Sequence, residues 1–463
     1  MNFSRRDFLA AAAAAAAFPG AARAVNVPLP KDMEIVVVGA GAAGIAAARR
    51  VLAANRKVVI VEASNRIGGR CWTDTETFGV PFDRGARWLY AQNANPVARL
   101  ARTVAMDVYA APQAQKIRIG RRNARAGETE EFLATLVRAN RAVGDPGRKG
   151  DPSALDAVPK DLGEWAKTLE FTLGPAATGK DLKDVSALDL SRMEPRDSGS
   201  FCRQGLGALV TKLADAVPVV AGAPVTRIVW GGRDLAVETA TGRITTRAVI
   251  VTVSTNILMS GKIKFAPDLP KRHLEAASKL SLGSYDHIAL ELPSNPLGLQ
   301  RDDFIVEKSD SNQTAVLLAN IGNSSLCTVD VGGSFGRDLS TKGQAAMVAF
   351  ATEWLGKLYG SDVKSAVKRS AATQWNTSPY VLGATSVAAP GAQGSRKILA
   401  EPLGSLFLAG EAAHETMWGT VGGAWDSGER AAEAALRRIG ALAPEPVAQP
   451  AAKGKGKGRR KQE

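Results

Sequence analysis

The strongest signal in the chain is a switch of hydrophobic period near its start. Met33 to Val38 is apolar apart from Glu34 and does not alternate, the pattern of a strand buried on both faces of a parallel sheet. Gly39-Ala40-Gly41-Ala42-Ala43-Gly44 follows, and then a helical stretch from Ile45 to Ala54. Lys57 to Val61 reads as a second strand and ends on Glu62. Farther along, the segment around Glu130 to Val143 reads as helix. Beyond the N-terminus no run of 18 apolar residues appears, so no membrane span is predicted in the mature chain.

The glycines carry the first chemistry. G-x-G-x-x-G between a strand and a helix is the pattern that binds a dinucleotide. Gly39 permits the tight turn, Gly41 lets backbone approach a pyrophosphate, and Gly44 lets helix and strand pack closely. The helix start offers free N–H groups and the positive end of a dipole to phosphates. Glu62, 18 residues beyond Gly44, is placed to accept hydrogen bonds from a ribose hydroxyl pair.

Composition narrows the rest. At 463 residues the chain is long enough for two or three domains. Cys71, Cys202 and Cys327 are too few and too scattered for a disulfide scaffold or a metal site, though one bridge stays open. His273, His287 and His414 are equally scattered. Part of the +14 formal charge sits at the ends, in Arg5, Arg6 and Arg23 and in the basic residues from Lys453 to Lys461. Residues 444–463 cannot bury apolar area and are expected to be a disordered basic tail; no nucleic-acid partner is expected. Ser4-Arg5-Arg6-Asp7-Phe8-Leu9, an alanine run to Ala17 and the small-residue site Ala22-Arg23-Ala24 have the layout of an export signal. The arginine pair resembles the twin-arginine signal. We therefore expect residues 1–24 to be removed after Ala24 and the mature protein to be periplasmic, with the twin-arginine translocase as a transient partner.

Glu62-Ala63-Ser64-Asn65-Arg66-Ile67-Gly68-Gly69-Arg70 resembles the E-A-x-x-R-x-G-G-R signature of the flavin amine oxidase family. Asp83-Arg84-Gly85-Ala86-Arg87-Trp88, Gly205-Leu206-Gly207, Pro224 to Ile228, Val249 to Val253, Leu406 to Ala412 and Gly419 to Ala424 resemble further segments of it. The resemblance implies an α/β fold: a Rossmann-like, discontinuous FAD-binding domain over 30–95, 203–270 and 395–440, with an α+β substrate domain over 96–202 and 271–394. It implies non-covalent FAD, because Ala384 stands near where some members carry a cysteine. FAD is expected to meet Gly39, Gly41, Ala43, Gly44, Glu62, Ala63, Gly69, Arg70, Arg87, Trp88, Val225, Gly410, Glu411, Thr420 and Val421. Arg70 is expected to supply a donor fork for phosphate oxygens.

The chain also departs from that family. Its lysine, which bridges through water to flavin N5, falls at His287. A neutral imidazole can hold a water but lacks the fixed charge; the plainer reading is a packed strand residue. The paired aromatic wall around the substrate amine falls at Thr385 and Thr420, neither aromatic, leaving Trp418, Trp375 or Tyr380 as substitutes. The implied reaction is oxidation of an amine or amino acid to the imine by hydride transfer to flavin N5, with a periplasmic electron acceptor such as a cytochrome or quinone in place of oxygen. An amino-acid substrate needs a cation for its carboxylate, for which Arg87 and Arg203 are candidates. Carbon–carbon desaturation on the same fold, or a flavin-binding envelope protein without turnover, remain the alternatives.

Overall fold

Asp32–Val38 forms the strand around which the first sheet is built, flanked by Val58–Val61 on one side and Gly242–Val251 on the other, both parallel to it. The structure is a computed structural model that describes residues 28–443 apart from 92–93, 113–114, 146–148 and 197. The expected signal segment and basic tail lie outside the described residues. Ile35, Val36 and Val37 are completely buried, and at ~1.5–3 kcal/mol for each such side chain this run has no alternative but the sheet interior. Leu406–Leu408 adds to Gly242–Val251 in parallel, and Val219–Val220 to Val58–Val61. Leu235–Thr239 and Val225–Val229 extend the sheet antiparallel, and Lys264–Ala266 closes that edge.

Because the four inner strands are parallel, their carboxyl ends share one edge. The loop at Gly39, the acid Glu62, the Thr252 turn and the Gly410–Glu411 turn therefore meet there, where open α/β sheets bind ligands. The first helix runs Ala42–Ala53, three residues ahead of the expected start. The glycine loop itself makes the first turn, since the Ile45 N–H donates to Gly41 O at 3.0 Å. The helix Ala126–Val143 likewise starts early, because Glu128 accepts the Arg125 N–H at 2.7 Å and caps it. The helix Val421–Arg438 crosses the first helix closely: a Cβ on Gly428 would lie 2.0 Å from Ala43 O.

A second sheet runs in the order Arg369–Ala372, Tyr285–Glu291, Leu326–Gly332, Val316–Leu318, Phe304–Glu307, Gln115–Ile119, Arg122–Asn123. Period-two alternation splits the Tyr285–Glu291 strand between two environments. Ile288 and Leu290 pack with Met347, Trp354 and Leu355 of the helix Gln344–Tyr359. Ala289 packs with Phe78 and Phe82, residues adjoining the first sheet's glycine segments. Tyr285 and His287 share the parity of Ala289 and so face the first sheet.

All three cysteines are free and buried, which closes the possibility of a bridge. Burial, aided by Asp83, pushes the Cys71 thiol up to about 12, and burial pushes Cys202 and Cys327 up to about 11. A thiol reagent at pH 8 is therefore expected to label none of them until the chain unfolds; labelling of the native protein at the rate of a free thiol would contradict this. The thiols' contribution to stability is whole below the ordinary thiol pKa of ~8.5 and is lost as pH rises toward the raised values.

Candidate active site

The three glycines of the first loop do different work. Gly39 has φ +103°, and a Cβ there would lie 2.7 Å from Thr252 Oγ1. A Cβ on Gly44 would land 1.9 Å from Gly39 O, so helix and strand can approach only without one. A Cβ on Gly41 would meet, among the described residues, only Gly69 Cα, at 4.0 Å. The two glycine loops lie against each other, joined by Gly68 N–H to Ala40 O at 2.8 Å. Beside them the buried Glu62 accepts from Ala40 N at 2.7 Å and from Ser64 N and Oγ at 2.8 Å each. Ala63 is half-buried behind it.

Arg70 is tied to the protein through one end of its guanidinium. Its Nη1 donates to Glu411 Oε1 at 2.8 Å and to Ala384 O at 2.5 Å. Glu411 is a hub: it also accepts from Ser386 N (3.1 Å), Ser386 Oγ (2.6 Å) and Gly419 N (2.9 Å). Burial alone would raise its carboxyl, but Arg70, Ser386 and Arg396 hold it below the ordinary range. Gly410, with φ +140°, has no atom of the described residues within 4 Å of where a Cβ would be. Thr420 caps the last helix, its Oγ1 accepting from Gly423 N at 3.0 Å, and Val421 is buried at the first helical position.

A third group joins the two sheets. Arg87, 6% exposed, donates from Nη1 to Thr328 Oγ1 at 2.7 Å. His287 Nε2 donates to Gly85 O at 2.9 Å. Its Nδ1 lies 2.7 Å from Asp330 Oδ1 and 3.0 Å from Arg87 Nη2, and cannot serve both. The carboxylate takes it. Although burial would raise Asp330, His287 and Arg87 hold it below the ordinary range, so it is an ionised acceptor. Arg87 then pairs with the same carboxylate at 3.9 Å. Tyr285 Oη donates to Asp330 Oδ2 at 3.3 Å, and burial, with Asp330 beside it, raises that phenol well above its usual value. Tyr90 is raised by burial and senses Arg196, Arg87 and Asp330.

Trp88 is part of an aromatic stack, parallel to Tyr90 at 5.5 Å and edge-on to Phe201 and Phe304. Val225 is buried at the start of its strand. Thr385 Oγ1 donates to Thr178 O at 2.9 Å, beside Gly419. The substitute aromatics do not form a wall. Trp418 is completely buried under Arg396, with ring and guanidinium 4.5 Å apart. Trp375 is wedged against Gly85 and donates to Arg84 O at 2.8 Å. Tyr380 is 42% exposed. Arg203 is a surface residue paired with Asp107 at 2.6 Å. Sequence reading missed Tyr90, Tyr285, Arg196 and Asp330. Tyr285 was within reach, two residues before His287 on the same strand face, whereas Asp330 arrives only through cross-strand register with His287.

The open backbone at Gly41 and Gly410, the acid at the end of the second strand and the capped helix start suit FAD: the first loop and Glu62 would hold its adenosine half, and Glu411 and the Thr420–Val421 start its flavin half. The sequence pattern of the family described as "Flavin containing amine oxidoreductase" matches residues 42–194 and 179–436. "Lysine-specific histone demethylase 2" of Homo sapiens is 28% identical, covering 87% of this chain and 54% of its own length. The chain thus spans about half the length of the demethylase relatives it matches. "Polyamine oxidase 5" of Oryza sativa subsp. japonica is 26% identical and covers 88% of each chain. Among solved structures, cyclohexylamine oxidase from Brevibacterium oxydans IH-35A superposes with TM-score 0.75 at 19% identity, over 88% of this chain and 100% of that one. Wild-type putrescine oxidase bound to putrescine does so with TM-score 0.74 at 18% identity, over 88% and 100%.

Proposed function

We propose that the chain, which belongs to the flavin-containing amine oxidoreductases, is an FAD-dependent enzyme that oxidises a small amine or amino acid to the imine and delivers the electrons to a carrier rather than to oxygen. FAD, when bound, supplies the two-electron acceptor. The chain's own residues supply position and charge. The first loop and Glu62 anchor the cofactor, Thr420 sets a helix start that favours negative charge beside it, and Tyr90, Tyr285 and Arg87 line the side where the two sheets meet. The cofactor is held without a covalent bond: Ala384 offers no thiol, and the chain's three thiols are buried.

The observation behind the choice of acceptor is the confinement of His287. Both ring nitrogens are engaged, by Gly85 O and by the Asp330–Arg87 pair, leaving none for a bridging water. Flavin reduced anaerobically by substrate is expected to reoxidise slowly in air and rapidly with a quinone or cytochrome acceptor in stopped-flow mixing. Air reoxidation as fast as with the carrier would overturn the carrier half of the proposal.

Export by the twin-arginine route belongs to the same proposal and is supported by Arg5, Arg6 and the apolar run after them. Changing both arginines to lysine is expected to strand the precursor in the cytoplasm. In the unaltered strain the mature chain should begin at Val25 in the periplasmic fraction; a mature start elsewhere would break the assignment.

A further inference from the structure

Arg196 is a largely enclosed guanidinium that senses Glu411 and Asp189 only through space, without an ion pair to either. Its Nη1 donates to Ala177 O at 3.0 Å and its Nη2 to Trp418 O at 2.6 Å. Its Nε is shielded from solvent and has no hydrogen-bond partner among the described residues. Its plane lies near the Tyr90 ring at 5.4 Å and the Trp418 ring at 5.2 Å. The neighbouring arginines each have a carboxylate: Arg70 has Glu411, Arg87 has Asp330 and Arg396 has Asp189. Among the described residues none pairs with Arg196. A cation withdrawn from water is costly unless an anion meets it; backbone carbonyls compensate only in part.

Its place in the fold points to what that anion is. A Cβ on Gly419 would lie 3.3 Å from Arg196 Nη2 and 3.4 Å from Thr385 Cβ, so the guanidinium reaches the junction of Thr385 and the start of the last helix. Tyr90 and Tyr285 stand on the same side, both partly accessible. The Tyr90 hydroxyl has no partner among the described residues, so it is a second available donor. The balance of charge is positive: Arg70, Arg87 and Arg396 are each matched by an acid, in Glu411, Asp330 and Asp189, whereas Arg196 is a fourth cation without one of its own, and His287 and Tyr285 already occupy Asp330. A substrate with a second ammonium group would be repelled here. Arg87, committed to Thr328 and the Asp330 pair, and Arg203, on the surface with Asp107, are not free for this task.

We infer that the substrate carries a carboxylate that docks on Arg196 with the Tyr90 hydroxyl as second donor, making the chain an oxidase of α-amino acids rather than of simple amines or polyamines. This rests on the amine-oxidation reading above.

The test uses the full holoprotein and matched pairs, each an amino acid and its decarboxylated amine: phenylalanine with phenethylamine, leucine with isoamylamine, lysine with cadaverine. Anaerobic bleaching of the flavin is expected at concentrations at least tenfold lower for the amino acid of a pair. Benzoate, a carboxylate without an amine, is expected to perturb the flavin absorbance and to compete with the amino acid. In R196M the preference within each pair should collapse toward one and benzoate binding should vanish, with R196K between. Bleaching by the amines alone, with benzoate inert, overturns the inference and leaves amine oxidation standing. Bleaching by neither, with the flavin still reducible by dithionite, overturns the amine-oxidation reading; Arg196-dependent benzoate binding would then separately decide whether the anion site exists. Should R196M fail to fold, the unaltered protein's preference within the pairs and its response to benzoate still decide.

Discussion

Asp189→Ala is expected to lower the free energy of unfolding by about 3–5 kcal/mol. Asp189 and Arg396 are both completely buried and pair at 2.7 Å. The pairing is bidentate, Arg396 Nε to Oδ1 and Nη2 to Oδ2, each at 2.7 Å. Losing the acid leaves a guanidinium that water cannot reach, with only Ser386 and the Ala412 carbonyl to receive it. The effect has a direction that tells a lost pair from a general packing defect. Replacing both residues by apolar ones of similar size, D189L/R396M, should recover much of the loss, because both desolvation costs disappear together. Urea unfolding with an unchanged m-value is the measurement. A single-variant loss under ~1 kcal/mol, or a double variant no better than the single, would show that the pair does not act as a unit. Flavin affinity should fall as well. Arg396 Nη1 donates to Ser386 Oγ, which donates in turn to Glu411 Oε2, so the pair supports the hub at the expected flavin end.

That network was invisible in the sequence for a physical reason. Asp189, Arg396, Ser386 and Glu411 come from four segments, and no periodicity ties their positions together. What could be read was local. The apolar run 33–38, the glycines after it and the acid at 62 form one continuous strand–loop–helix–strand unit, so their spacing alone determines their geometry. Where a reading depended on one residue's partner, the fold added partners the sequence did not show. Arg70, expected on phosphate, also donates from Nη1 to Glu411 and Ala384 O. Trp418, proposed as a substrate wall, is buried beneath Arg396, since its backbone turn places the ring inward and its carbonyl toward Arg196. His287 was located correctly on a strand, yet its chemistry is decided by Asp330, some forty residues away and set opposite it by antiparallel register. Alternation along Tyr285–Glu291 does reveal which side chains share a face; it cannot reveal what that face meets.

Glu62→Ala is expected to raise the dissociation constant for FAD by about a hundredfold, or ~2.7 kcal/mol, in the range of a hydrogen-bonded charged group. The carboxylate has two tasks. It fastens the glycine loop through Ala40 N and Ser64 N, and its remaining lone pairs are available to ribose hydroxyls. Glu62→Gln should be nearly as damaging. With each oxygen already accepting a backbone N–H, an amide nitrogen in either position sets donor against donor. Glu62→Asp keeps the charge but is one methylene short of reaching both loops, and should fall between. The two tasks separate experimentally. Thermal melting of the flavin-free protein reports the loop alone, and FAD titration followed by fluorescence quenching reports the loop and the ribose together. A Glu62→Ala protein that melts lower without FAD yet binds FAD within about threefold of the unaltered protein would make Glu62 a loop anchor and no more. A protein that melts nearly unchanged but loses the hundredfold would place the acid on the cofactor itself. The expected result is a modest fall in melting and a large fall in affinity, because the loop has a further tie in Gly68 N–H to Ala40 O whereas the ribose contact would rest on the carboxylate itself.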